Sequence, residues 1–175
     1  KKIYKVLFTL LLSTHVCFGV TLHDIVENET LEDGSVRRYI NFRVLDEFIE
    51  DVAFHAKEYP PRFKNEREKT KVVNRLKVLL NIIDVFDSEK KANPEILLRK
   101  GFLNSMGHNL DFEGCAEEAI ISFRRLLEIN PKHARGNFLF GMFLSATNKY
   151  QRESTKYLEV ALEEGFEDAK YTLGV

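Results

Sequence analysis

Proline and glycine are scarce in this chain, four and nine among 175 residues. A sheet protein needs such residues for its many turns, and no stretch alternates apolar and polar residues for more than a few positions, so the expected fold is all-α. Cysteine is scarcer still. Of Cys17 and Cys115, only Cys115 lies beyond the N-terminal apolar run, so a chain cut behind that run can form no internal disulfide and is held by packing. No sign of charge dominates: 26 basic residues face 27 acidic ones. Removing residues 1–19 takes three lysines and no acid, leaving 23 against 27 and a net charge of −4, which argues against a nucleic-acid partner.

Chemical motifs are missing as well. There is no glycine-rich phosphate loop, no nucleophile elbow and no His-Glu zinc helix. His15, His23, His55, His108 and His133 have no cysteine or carboxylate at metal-ligand spacing, and the acidic stretch Asp24 to Asp33 lacks the glycine position of a calcium loop. Glu117-Glu118 and Glu163-Glu164 fall on amphipathic patterns, where paired carboxylates read as solvated faces. Neither catalysis nor a cofactor nor a metal is expected.

What is present begins with Lys1, Lys2 and Lys5 ahead of an apolar run from Val6 to Val20. Residues 1–19 read as a secretory signal peptide, with an uncleaved N-terminal anchor as the alternative. His15 and Val16 are wrong for the small residues a lipoprotein site requires before Cys17. The expected location is extracytoplasmic, periplasmic or secreted, with no membrane contact beyond this segment. Residues 20–42 are acidic, carry Gly34 and the glycosylation sequon Asn28-Glu29-Thr30, and suit a polar loop or short helix.

Residues 43–93 hold two helical stripes. Val44, Leu45, Phe48, Ile49, Val52 and Ala53 form the first, stopped by Pro60 and Pro61; Val72, Val73, Leu76, Leu79, Leu80, Ile83 and Phe86 form the second. Neither carries a glycine at a recurring place, so the pair reads as a cap. The basic stretch Arg62 to Lys77, seven Lys or Arg against two Glu, reads as the wet side of the second helix rather than an anion site. Asn93 and Pro94 then supply an N-cap and a first-turn proline.

Over residues 94–175 glycine returns at a fixed interval. Gly107, Gly141 and Gly174 are 34 and 33 residues apart, and apolar residues return with them: Leu103, Met106 and Leu110, then Phe140 and Leu144, then Leu173. A period of this size means stacked helical hairpins. The order Leu103-x2-Met106-Gly107-x2-Leu110, Ala119-x3-Phe123, Pro131 resembles the tetratricopeptide repeat. In the second unit Asn137 stands at the place of Leu103. A strict 34-residue step puts Glu153 where Ala119 was, whereas slipping one residue recovers Ser154 and Leu158. From Tyr157 to Gly174 the chain resembles Sel-like relatives, and Gly165, 34 residues after Pro131, keeps a helix-stopping residue there.

The resemblance implies a short right-handed superhelical solenoid preceded by two extra helices. Each recurring glycine would mark a close helix contact, Gly107 against the Ala119 region. The chain stops part way through a third unit and has no initiating methionine, which leads to the expectation of a longer reading frame. The first helix of each hairpin would line a concave face carrying Gly101, Asn104 and His108, then Arg135, Phe138 and Met142, then Asp168 and Tyr171. Asn104 would hold an extended backbone, Arg135 a carboxylate, and Phe138 and Met142 an apolar side chain. Phe138 and Met142 also fit a core role. The expected partner is a protein or peptide; the alternative is an accessory segment of a larger exported protein that carries its activity elsewhere.

Overall fold

Polar side chains set where the helices start. Asn93 accepts the Glu95 backbone N–H at 2.9 Å, Pro94 fills the first helical position, and α4 follows from Pro94 to Asn109. A computed structural model of the chain describes residues 22–87, 92–146 and 151–174; the expected signal peptide lies outside them. The protein is mostly helical. Its elements are α1 (Leu22–Ile25), β1 (Val26–Thr30), β2 (Val36–Ile40), α2 (Phe42–Ala56), α3 (Glu66–Asp87), α4, α5 (Cys115–Ile129), α6 (Ala134–Ser145), α7 (Gln151–Glu163) and α8 (Ala169–Leu173). They divide into one compact unit ending at Glu50 and a second beginning at Asp51.

In the first unit, residues expected as a polar loop or short helix form an antiparallel hairpin, Val26 opposite Ile40 and Thr30 opposite Val36. Its ladder is polar, which is why no apolar alternation announced it. Arg37 reaches Glu29 at 2.6 Å across the strands, and the Tyr39 hydroxyl donates to Glu27 at 2.5 Å. Opposite pairs of this kind stabilise a ladder as apolar pairs do, by a few tenths to about 1 kcal/mol each. The turn rests on Gly34 at φ 81° and on the Asp33 carboxylate, which accepts from the Ser35 N–H.

In the second unit α3 packs on α4, and α4 to α7 pack in succession, each on the next. The pairs are antiparallel: Gly101 faces Phe123 while Gly107 faces Cys115, and Phe123 stacks on Phe140 at 5.4 Å while Gly136 faces Leu126. Because α6 also touches α4, it nests against both helices of the preceding hairpin. The core between them gathers Leu97, Leu98, Ala119, Phe123, Leu126, Phe140, Phe143 and Leu144. Burying side chains of this size contributes about 1.5–3 kcal/mol each. Nine of the sixteen residues of α4 are buried, so the helix is covered on nearly every side.

The residues that recur at this interval are not buried alike. Met106 and Phe140, 34 residues apart, have no exposed surface, nor do Leu103, Ala119 and Phe123. Asn137 is as buried as the Leu103 it replaces, because its amide donates to the Pro131 and His133 carbonyls at 2.9 and 3.1 Å. In α7 the buried residues are Ser154, Leu158 and Ala161, a step of 35 from Ala119, Phe123 and Leu126; Glu153 stays partly exposed. The hairpin therefore follows the slipped register. Gly174 breaks the expectation that each recurring glycine marks a helix contact: it caps α8 at φ 73°, and a Cβ there would meet nothing within 4 Å.

Two helix ends close alike. After α7, Gly165 at φ 87° donates to the Leu162 carbonyl and Phe166 to Ala161; after α4, Asp111 at φ 60° donates to His108 and Phe112 to Gly107. Both are Schellman motifs with a phenylalanine as the next residue.

Candidate binding surfaces

The eight residues expected on a concave face do not all reach solvent. Asn104 is 5 % exposed, and its amide donates to the Lys100 carbonyl at 2.9 Å, so it is not placed to hold a peptide backbone. Gly101 is buried with it, under the Phe123 ring. The physical reason is the closeness of α5, which covers the face of α4 that a more open hairpin would leave free. Phe138 is half-buried and stacks on Phe166 at 4.5 Å, the core role its sequence also allowed.

His108, Arg135, Met142 and Tyr171 do face solvent. His108 stands edge-on to Phe143 at 5.8 Å, which ties α4 to α6. Arg135 and Met142 lie seven positions apart on α6, on one face of that helix. The Thr172 hydroxyl donates to the Met142 sulfur at 3.0 Å, which brings α8 alongside and leaves Tyr171 89 % exposed. Three helices thus expose an imidazole, a guanidinium, a thioether and a phenol. Asp168 is exposed just before α8.

A second concavity lies outside the residues expected to line a groove. An open groove of about 800 Å³ runs between α5 and α7. Arg124, Leu127, Glu128 and Pro131 line one side, Arg152, Glu153, Lys156, Tyr157 and Val160 the other, and Asn137 of α6 also borders it. Arg124 pairs with Glu153 across it at 3.3 Å, and Lys132, just after α5, pairs with Glu164, just after α7, at 2.7 Å. Tyr157 is fixed by contact with the Phe140 ring at 4.6 Å, and burial together with the Glu153 carboxylate pushes its phenol up, so it stays a neutral donor. Its sequence signal was the pairing of cations four apart, Arg152 and Lys156, with Tyr157 and Val160 on the adjoining strip of one helix.

A partly buried charge cluster joins α3 to α4 and α5. Lys100 meets Asp84 and Asp87, each at 2.9 Å, and Arg125 meets Asp87 at 2.9 Å. Burial pushes the Asp87 carboxyl up, but hydrogen bonds from Arg125 and Lys100 outweigh it and hold the group below its ordinary value. Cys115 is buried at the start of α5, and burial, with Glu118, Asp84 and Glu117 adding, pushes its thiol up and away from the nucleophilic form. Among the described residues no group of side chains is arranged to hold a metal ion, and no helix is long and apolar enough to cross a membrane.

No family model, no curated protein and no solved structure matches the chain.

Proposed function

We propose that this is an exported helical-repeat protein of tetratricopeptide-like architecture that binds a protein or peptide through the first helices of its hairpins. The observation that carries the reading is the exposure of His108, Arg135, Met142 and Tyr171 on α4, α6 and α8, where α4 and α6 are otherwise largely covered by their neighbours. A guanidinium suits a carboxylate; a thioether and a phenol suit an apolar or aromatic side chain. Compared with the groove drawn from the resemblance, the surface loses Asn104 and keeps Phe138 as support for Met142's helix. The nesting of α6 against both α4 and α5 supports the stacked-hairpin architecture.

The experiment is a pulldown with the mature protein from its own host, comparing wild type with Arg135→Ala, Met142→Ala and Tyr171→Ala. A partner held by wild type and weakened by these variants supports the proposal. A partner held equally by all four places binding elsewhere.

A further inference from the structure

On the other side of α6 the chain carries a second surface of different character. Asn137 borders the groove between α5 and α7, and it lies about 150° around the helix from the midpoint of Arg135 and Met142 at roughly 100° per residue. The groove is held open rather than filled. Arg124 and Glu153 pair across it, and Leu127, Tyr157 and Val160 give it an apolar lining.

Its charges are unequal in availability. Arg124 and Glu153 neutralise each other. Arg152 and Lys156, four apart on the α7 wall, hold no ion pair among the described residues, and they face a single remaining carboxylate, Glu128, on the α5 wall. The groove therefore presents two available cations beside an apolar strip, at a volume within the usual range for a bound segment of a few residues.

We infer that this groove binds an acidic peptide segment in which carboxylates flank an apolar residue. The apolar side chain sits against Leu127, Tyr157 and Val160, and the carboxylates meet Arg152 and Lys156. Such a site is independent of the exposed residues on α4, α6 and α8. With both surfaces occupied, one protein would bridge two partners.

The test uses fluorescence polarisation with a short labelled peptide carrying aspartate and glutamate on either side of leucine, and the same peptide with asparagine and glutamine in their places. The acidic peptide is expected to bind wild type, with affinity falling as salt rises. The neutral peptide, and the double variant Arg152→Glu/Lys156→Glu, are each expected to bind about tenfold more weakly or worse, since reversal replaces two attractive contacts by repulsive ones. Val160→Asp is expected to weaken binding while circular dichroism stays that of wild type. Arg67→Glu/Lys69→Glu, an equal charge reversal at exposed positions of α3 outside the groove's lining, is expected to bind the acidic peptide normally, which separates loss of this site from a general effect of charge. Equal binding of the acidic and neutral peptides, an unaffected double variant, or no binding of the acidic peptide to wild type would each overturn the inference.

Discussion

Replacing Gly101 by alanine tests how closely α4 and α5 approach. A Cβ on Gly101 would lie 2.7–2.8 Å from three carbons of the Phe123 ring, where carbons in contact normally sit about 3.5–4.0 Å apart. The ring would have to retreat by roughly 1 Å. It has little freedom to do so, being wholly buried and stacked on Phe140. Overpacking of a filled core costs about 1–3 kcal/mol, while alanine is favoured over glycine within a helix by about 1 kcal/mol. The expected net loss is about 0–2 kcal/mol, or a fall in Tm of up to about 8 °C. The chain has no tryptophan, so unfolding in urea is best followed by circular dichroism. Phe123→Leu in the Gly101→Ala background should cost at least about 1 kcal/mol less than in wild type, because the smaller side chain relieves the clash. Gly107→Ala should be milder, since its closest neighbour is the terminal sulfur of Cys115 rather than a locked ring. A stabilised Gly101→Ala, or a cycle without coupling, would refute the close approach and with it the reason Asn104 is covered.

Asp111 holds a left-handed conformation without being glycine, so Asp111→Gly should leave stability unchanged or raise it by up to about 1 kcal/mol in urea unfolding, whereas Gly165→Ala should lower it by about 1 kcal/mol. Asp87 carries a pH signature. Its folded pKa is below the unfolded one, so its contribution is complete above about pH 4 and is lost as pH falls through the folded value; Asp87→Asn should flatten the acid limb of stability against pH. At neutral pH the same variant should cost about 1–2 kcal/mol, because Lys100 and Arg125 lose a shared partner. In a Cys17→Ser background, Cys115 should react with a thiol reagent at neutral pH far more slowly when folded than in urea; equal rates would contradict its burial and raised pKa.

The helical elements were legible because their signals are local. Asn93 and Pro94 mark a start, Gly165 a stop, and the stripe through Val72, Leu76, Leu79 and Ile83 marks a buried face. Even the slipped register of the second hairpin could be drawn from Ser154 and Leu158 alone. The hairpin of β1 and β2 was not legible, because its strands are matched by charge, Arg37 with Glu29, and apolar alternation is silent about such pairs. The candidate surface was legible in half. His108, Arg135, Met142 and Tyr171 reach solvent as their positions in the repeat suggested, while Asn104 does not.

By itself the sequence determined where most of the helices begin and end and which stripe of each is apolar, since both depend on neighbours a turn or two away. Only the tertiary structure decided which glycine bears a helix contact and which merely caps an end, that Gly101 rather than Gly174 meets a neighbour, and that α5 and α7 enclose a groove. Those outcomes depend on how closely helices distant along the chain approach, and that distance is set by side chains such as Phe123 and Leu158 acting across the gap.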